Sequence, residues 1–293
     1  MYTNLLKTAA LAGAISALAF TGTAGAAEKL NGSGASFPFP IYSAWFKQFS
    51  QDKKVKEEFN STGARVDYQS KGSGAGIKDL QTGAVDFAGS DAAMDDEEIG
   101  VVKSEQGKDV VLLPMTAGEV VLAYNLDGVD ELKLPRDVYP KIFSGEITKW
   151  SEIDSSLPDE KITVVVRSDS SGTTYVFTGH LSEISEVFKG SIGQGKSPQW
   201  PKSAKFVKAP KNDGITATVK QTPGAIGYIE YGFAKLTKAP VAALENKAGK
   251  FVVPGPESGE AALASAEFPE GNLPGSDVAD LRAWVYDPAG DKA

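Results

Sequence analysis

Three short loops in the sequence are rich in Gly, Ser and Thr, and each comes directly before a helical pattern. They are NGSGASFPFP (31–40), SKGSGAG (70–76) and RSDSSGTT (167–174). The N–H groups in the first turn of a helix have no partner inside the helix and lie at the positive end of its dipole, so they attract anions. Glycine lets the backbone approach a ligand closely, and hydroxyl groups add hydrogen-bond donors. Together the loops predict a pocket for a small oxyanion.

Each loop by itself has a second explanation, because Ser, Thr and Gly are also the residues that cap helices and form turns. Three such loops in one chain, one of them with the cation of Arg167, favour the anion pocket. None of the loops has the spacing G-x-x-x-x-G-K-[ST] of a nucleotide-binding P-loop, so a nucleotide phosphate is disfavoured. A single Arg among many neutral donors suits reversible binding more than catalysis.

Asp91, in VDFAGSDA, is the carboxylate that could select the anion. An ionised carboxylate only accepts hydrogen bonds, so it repels a bound anion unless that anion has a proton to donate. Phosphate carries such a proton near neutral pH, whereas sulfate is fully ionised there. Asp91 would therefore reject sulfate. The alternative is that Asp91 caps a helix through MDDEEIG (94–100), whose acidic residues would form a solvated first turn.

Composition excludes several classes of protein. The chain has 293 residues, 41% hydrophobic and 23% charged, which is enough for two globular domains. The net charge of −8 argues against nucleic acid or an anionic membrane as a partner. With one histidine, His180, and no cysteine, a Zn, Cu or non-haem Fe site would lack its usual ligands, so we expect no metal and no cofactor. A Ser-His-Asp hydrolase is disfavoured because His180 is the only imidazole that could act as its base.

The first 27 residues have the pattern of a secretory signal peptide, with an apolar run over residues 8–20 and small residues at Ala24 and Ala26. We expect cleavage near Ala26 or Ala27 and export to the periplasm. A membrane anchor is the alternative, but a span needs about 20 strongly apolar residues and this run is shorter. Because no cysteine is present for lipid attachment, a free periplasmic protein is favoured over a surface lipoprotein.

Strands and helices must position the loops, and their patterns alternate along the chain. Four-residue spacing of apolar residues predicts helices around Ile41, Ile77 and Phe177. Runs rich in Val, Ile and Tyr predict strands at 65–69, 85–89, 110–115, 120–125, 162–166 and 225–230. This alternation is typical of an α/β protein with parallel or mixed sheets.

The spacing of the strands also predicts how the chain divides. Strands 120–125 and 225–230 would cross between two lobes. Lobe I would then comprise residues 28–118 and 231–293, and lobe II residues 119–230. The alternative is a single large sheet.

Several longer motifs occur together in a characteristic order. They are GSGASFPFPIYSAWF, YQSKGSGAGIKDLQTGAVDFAGSDA, KIFSGEITKW, VVVRSDSSGTTYVFT, KNDGI and PGAIGYIEY. In order and spacing they resemble the periplasmic phosphate-binding proteins of phosphate ABC transporters, from Leu30 to Phe233. The resemblance implies the type II periplasmic-binding-protein fold, with two α/β lobes joined by hinge strands and a ligand cleft between them. Members of that family usually continue into a further strand and helices, so we expect the C-terminal part of lobe I to be truncated.

The resemblance also implies which residues bind phosphate. Position by position, the family's phosphate contacts correspond to Ser36, the backbone N–H of Phe37, Ser73, Asp91, Arg167, Ser171, Gly172 and Thr173. Asp169 would bind Arg167 and hold its guanidinium in place, without touching the ligand.

The function implied by the resemblance is capture of inorganic phosphate and its delivery to the membrane permease of an ABC transporter, by a monomer that is not an enzyme. Other functions stay open. Arsenate carries a proton that Asp91 could accept, so another protonated oxyanion is one alternative. A secreted phosphatase or phosphoryl-transfer enzyme is a second, although it would need a metal cluster or an activated nucleophile. A sensor or adhesion module that reuses the fold is a third.

Overall fold

The computed structural model describes residues 28–293, so the predicted signal peptide lies outside the described residues. Within that range no helix combines the length and apolar character needed to cross a membrane. The strands are β1 Lys29–Gly34, β2 Arg65–Ser70, β3 Phe87–Gly89, β4 Val120–Asn125, β5 Lys133–Leu134, β6 Thr163–Arg167, β7 Lys205–Ala209, β8 Ala225–Glu230, β9 Ala243–Glu245 and β10 Phe251–Val252. The helices are α1 Phe39–Gln51, α2 Lys53–Phe59, α3 Ser73–Gln81, α4 Asp96–Gln106, α5 Tyr139–Phe143, α6 Gly172–Ile184, α7 Glu186–Ser191, α8 Lys211–Gln221, α9 Tyr231–Thr237 and α10 Pro256–Leu263.

The N-terminal sheet has the strand order β2-β1-β3, and both pairings are parallel. Gly34, at the end of β1, pairs with Ser70 of β2 and with Gly89 of β3. The three strands therefore end together, and the loops that follow them leave the sheet at one edge. Helix α3 packs closely on β1, because a Cβ atom at Gly76 would lie 2.4 Å from the Gly34 Cα. This close packing brings the start of α3 to the same edge.

The middle sheet has the order β4-β8-β6-β7, with β4 antiparallel to β8 and β6 parallel to both of its neighbours. All five residues of β6 are buried, as expected for a strand covered on both faces. One face packs on an aromatic cluster that includes Trp150 and Phe177. The other face packs on α8 through Ile215 and Val219. This double cover gives β6 a rigid setting.

A third, small sheet has the order β10-β9-β5, with β9 parallel to β5. It joins residues 243–252 to the segment that follows β4. Three sheets are thus formed by the described residues, which excludes the alternative of a single large sheet. The division into lobes at the boundaries given above stays a prediction.

The predicted alternation of strands and helices is confirmed. The three predicted helices are α1, α3 and α6. Five of the six predicted strands are present within two residues of their expected ends, namely 65–69 as β2, 85–89 as β3, 120–125 as β4, 162–166 as β6 and 225–230 as β8.

The strand predicted at 110–115 is wrong. The segment belongs to no ladder among the described strands, and Pro114 has no N–H to donate to one. Its side chains do alternate between buried and exposed positions, since Val110 is 6% exposed while Val111 is 59% and Leu113 65% exposed. The pattern marks an extended segment with one packed face, which periodicity alone cannot distinguish from a strand.

Candidate functional site

The carboxyl ends of the N-terminal sheet and of the parallel part of the middle sheet meet. Arg167 ends β6 and pairs with Ala209 at the end of β7, so the loops after these two strands leave the middle sheet together. The Gly74 N–H, in the first turn of α3, donates to the Ser170 carbonyl at 3.1 Å. In α/β proteins ligands bind outside the carboxyl ends of parallel strands. The loops on both sides therefore define the candidate site.

A chain of hydrogen bonds crosses this meeting point and joins four of the residues predicted from the sequence. The Arg167 Nη1 donates to the Thr173 Oγ1 at 3.4 Å. The Thr173 hydroxyl in turn donates to the Asp91 Oδ2 at 2.7 Å, and the Ser73 hydroxyl donates to the Asp91 Oδ1 at 3.0 Å. One cation, two hydroxyl groups and one carboxylate from three separate loops are thus within hydrogen-bonding reach of one another.

Arg167 is held in a single orientation by Asp169. The Arg167 Nε and Nη2 donate to the two carboxylate oxygens at 2.8 and 2.5 Å, and the Arg167 side chain is only 2% exposed. Burial raises the pKa of Asp169, but the Arg167 guanidinium and the Lys211 N–H together more than offset it, so the pKa lies below its usual range. The Asp169 carboxyl is therefore ionised at neutral pH. The Nη1 edge of the guanidinium is left to face Thr173 and the site.

The start of α6 supplies backbone donors. The Ser171 hydroxyl accepts a hydrogen bond from the Thr174 N–H at 3.0 Å and is fully buried, so this side chain caps the helix. A Cβ atom at Gly172 would lie 2.4 Å from the Ser73 Oγ and 2.6 Å from the Asp91 Oδ1, so only glycine fits there. Within the described chain the Gly172 and Thr173 N–H groups donate to no other group. They are the anion-attracting donors of this helix end.

Ser36 and Phe37 lie beside this chain of hydrogen bonds and do not take part in it. The Ser36 hydroxyl oxygen accepts from Asn212. The Phe37 ring packs on Gly118, where a Cβ atom would lie 2.5 Å from the ring. The preceding residue, Ala35, donates its N–H to the Gly89 carbonyl at 2.8 Å, which fixes the first loop next to the segment that leads to Asp91.

The capping alternative for Asp91 is wrong. Helix α4 is capped by Asp95, whose Oδ1 accepts from the Glu98 N–H at 2.8 Å while the Glu98 carboxylate accepts from the Asp95 N–H at 3.1 Å. This reciprocal pair is a capping box. Asp91 is therefore free to accept the hydroxyl groups of Ser73 and Thr173.

Three residues that support the site were not singled out from the sequence: Lys211, Asn212 and Tyr228. The Tyr228 hydroxyl accepts from the Arg167 N–H at 3.1 Å and shares a hydrogen bond of 2.7 Å with the Thr174 hydroxyl. Burial raises the pKa of Tyr228 to about 12, so the phenol stays protonated. The motifs KNDGI and PGAIGYIEY contain these residues, but their partners lie far away in sequence, 61 residues away in the case of Tyr228 and Arg167.

A separate cavity of about 600 Å³ lies between α6, α10 and the C-terminal segment, and it includes none of the predicted site residues. Its polar side chains are largely paired with one another. Arg136 donates two hydrogen bonds of 2.8 Å to Asp287, and His180 shares one of 2.9 Å with Tyr139. Among residues 28–293 no group of three or more metal-ligating side chains could hold a metal ion. The loops around Arg167 and Asp91 are therefore the better candidate for the site.

Comparisons with known proteins identify the family and the fold. Residues 21–290 match the PBP superfamily domain. Phosphate-binding protein PstS of Pasteurella multocida is 37% identical over 251 residues, which are 83% of this chain and 68% of that protein. The PstS of Haemophilus influenzae is 36% identical over 253 residues, 83% of this chain and 70% of that protein. The crystal structure of a phosphate-binding protein from Stenotrophomonas maltophilia matches with a TM-score of 0.65 at 22% identity, over 90% of this chain and 75% of that chain, which shows a common fold.

Proposed function

This chain belongs to the PstS phosphate-binding proteins of the PBP superfamily, and we propose that it binds inorganic phosphate between the two sheet edges that meet at Arg167 and Asp91. The predicted family and the predicted type II periplasmic-binding-protein fold are confirmed. The observation that carries the proposal is the chain of hydrogen bonds from Arg167 through Thr173 to Asp91 and Ser73. It links one positive charge to one carboxylate acceptor through hydroxyl groups, which supports the proposal.

Most of the proposed contacts are donors. Arg167 supplies the charge through its Nη1 edge, which Asp169 turns toward the site. The Ser36 hydroxyl and the N–H groups of Phe37 and Gly172 supply neutral donors, which spread the charge of the anion over several dipoles. The Ser73 and Thr173 hydroxyls donate their single hydrogens to Asp91 in this structure, so each must turn from Asp91 to the anion in order to donate to it. We assign Ser171 an indirect role, because its hydroxyl caps α6 and so holds the Gly172 N–H in place.

Asp91 is the proposed selector of the anion. Each oxygen of its carboxylate accepts one protein hydroxyl and retains a second lone pair. A monohydrogen phosphate ion can donate its proton to that lone pair, whereas a sulfate ion can only place a second negative charge against it. Phosphate binding should therefore exceed sulfate binding because sulfate leaves the carboxylate unsatisfied.

The contacts between the two sides of the site include several polar ones, which suit opening and closing around a ligand. Besides the chain described above, the Glu98 carboxylate on α4 binds the Lys196 ammonium from the segment after α7. We propose that the chain acts as a periplasmic monomer, closes over phosphate and delivers it to the permease of an ABC transporter. We propose no enzymatic activity, because the relatives that this chain resembles are named as phosphate-binding proteins.

Equilibrium binding of labelled phosphate, with sulfate and arsenate as competitors, tests the proposal. The wild-type protein should bind phosphate and resist competition by sulfate. Asp91→Asn should bind phosphate more weakly and allow sulfate to compete, because the amide can donate to an unprotonated oxyanion. Asp95→Asn is the matched control, since this residue caps α4 four positions further along and should leave the preference between anions unchanged.

Two results would contradict the proposal. Equal competition by sulfate in the wild-type protein would remove the role of Asp91. Turnover of a phosphate ester by the purified protein would favour the enzyme alternative. Arsenate also carries a proton, so its competition with phosphate measures how far the site distinguishes two oxyanions that Asp91 treats alike.

A further inference from the structure

Asn212, in the first turn of α8, is fully buried and has a side-chain orientation that its neighbours determine. Its Oδ1 accepts a hydrogen bond of 2.9 Å from the Glu230 N–H at the end of β8. A backbone N–H can only donate, so the amide oxygen must be the atom that faces Glu230. The Nδ2 group is therefore the end that faces Ser36.

Ser36 receives two hydrogen bonds from Asn212. The Nδ2 donates to the Ser36 Oγ at 3.1 Å, and the Asn212 backbone N–H donates to the same oxygen at 3.3 Å. A hydroxyl group has two acceptor lone pairs and one donor hydrogen, so both lone pairs are occupied. The hydrogen must then be donated elsewhere. Ser36 is only 4% exposed, and within the described residues its hydroxyl donates to no acceptor.

We propose that Asn212 is a positioning residue that keeps the Ser36 hydroxyl a donor toward the bound oxyanion, an inference that rests on the phosphate-binding function proposed above. Without Asn212 the hydroxyl can rotate and turn a lone pair toward the anion, which is repulsive. Ser36 follows β1 and Asn212 begins α8, 176 residues later in the chain. The constraint therefore acts only while these two parts of the molecule are in contact, so Ser36 becomes a fixed donor when the site is assembled.

The same helix end also supports the cation. Lys211, immediately before Asn212, donates its N–H to the Asp169 Oδ1 at 2.9 Å, and Asp169 holds Arg167. Two consecutive residues at the start of α8 thus align a neutral donor and the guanidinium of the site. The N–H groups of a helix's first turn suit this task because the helix itself does not use them.

A double-mutant cycle on the dissociation constant for phosphate tests the role of Asn212. Asn212→Ala removes the side-chain donor to Ser36, and Asn212→Asp replaces it with an acceptor to which the Ser36 hydroxyl would donate. We expect phosphate affinity to fall by about tenfold for the alanine variant and by up to about 100-fold for the aspartate variant, in line with hydrogen bonds to charged groups. In a Ser36→Ala background the alanine change should cost less than about twofold, because the hydroxyl it orients is gone.

Asn125→Ala is the matched control. The Asn125 Nδ2 donates to the Val219 and Lys220 carbonyls at the other end of the same helix, at 3.0 and 3.1 Å. It therefore removes two amide hydrogen bonds from α8 without touching Ser36, and phosphate affinity should stay within about twofold of wild type. Thermal melting of every variant confirms that folded proteins are being compared.

The outcomes distinguish the two proposals. If Asn212→Ala costs as much affinity in the Ser36→Ala background as in the wild type, Asn212 acts through the general stability of the site, and its positioning role is overturned while phosphate binding stands. A loss of the same size in Asn125→Ala leads to the same conclusion. Failure of the wild-type protein to bind phosphate would overturn both proposals.

Discussion

The two sheets that meet at the site differ in how firmly they are held. The middle sheet is covered on both faces, and every residue of β6 is buried up to Arg167 at its end. The N-terminal sheet has three strands, which contact α1 and α3, and the cluster of buried apolar residues on this side has only six members, four of them on α3 and α4 or between them. The charge that attracts the anion therefore lies on the firmer side. Asp91, the proposed selector, lies on the side that has the smaller buried apolar cluster.

This difference has a physical reason. A buried guanidinium needs an exact partner, because leaving either charge unpaired inside the protein is costly. A fully covered strand can hold such a pair at fixed distances. The carboxylate of Asp91 is half-buried and accepts two hydroxyl groups, so it tolerates small displacements of its loop.

The largest expected effect is on stability, from a matched pair of core substitutions. Ile215 lies on α8 under the middle sheet and Ile77 on α3 under the N-terminal sheet, and they are 0% and 2% exposed. Ile→Ala in a core costs about 2–5 kcal/mol, and less where the surroundings can collapse into the cavity. We expect Ile215→Ala to cost about 4 kcal/mol and Ile77→Ala about 2 kcal/mol, measured by urea unfolding. Equal costs would show that the two sheets are equally firm.

Arg167→Lys is expected to have the next largest effect, on binding. Lysine keeps the positive charge but lacks the planar fork that binds both oxygens of Asp169 while leaving Nη1 for the site. Phosphate affinity should fall by about 100-fold, or about 2.7 kcal/mol. Equilibrium binding of labelled phosphate measures it.

The control for Arg167→Lys is Arg282→Lys. Arg282 forms a similar two-oxygen pair with Asp280, also two residues away, but it lies outside the site. Its replacement should leave phosphate affinity nearly unchanged. If both substitutions weaken binding to the same extent, the effect comes from stability in general and not from the charge of Arg167.

The parts of the site that could be predicted from the sequence are those whose geometry is local. The three loops could be found because glycine and hydroxyl residues precede helical periodicity, and Arg167 and Asp169 are only two residues apart. The sequence next to α4 was also sufficient to decide whether Asp91 or Asp95 caps this helix. Asp95 is followed three residues later by Glu98, which is the spacing of a capping box and would have identified the cap.

The parts that could not be predicted depend on contacts between distant segments. Asn212 reaches Ser36 across 176 residues, and nothing in KNDGI indicates that partner. Strand β1 was missed because KLNGSG contains Gly and Asn, which have low strand propensity, and its stability comes from the parallel neighbours on both sides. At 110–115 the error was the opposite one, because a strand was predicted and none formed. The segment has the apolar pattern of a strand, but it pairs with no neighbouring strand.

The smallest expected effect is on the free energy of unfolding at acid pH. We compare one aspartate from each side of the molecule. Asp79 on α3 accepts from the Lys71 ammonium at 2.8 Å and from the Ser33 hydroxyl at 2.7 Å, and these bonds lower its pKa. Burial raises the pKa of Asp169, but its bonds to Arg167 and to the Lys211 N–H together lower the pKa further than burial raises it. Both folded pKa values are thus below the ordinary value of 3.8. Each aspartate contributes stability that is present above about pH 4 and lost as the pH falls through its folded pKa.

Replacing either aspartate with asparagine should flatten the loss of stability between about pH 5 and pH 2.5, because one group that takes up a proton on unfolding is removed. The partly exposed pair of Asp79 is worth about 1 kcal/mol or less, so Asp79→Asn should change the slope little. Asp169→Asn should change it more, since its partner Arg167 is buried. Urea unfolding across this pH range gives the free energy of unfolding at each pH. The quantity to compare between variants is the slope of that free energy against pH. A larger change of slope for Asp79→Asn would mean that the N-terminal side holds its charges more firmly than the middle sheet does, which reverses the proposed difference between the two halves of the site.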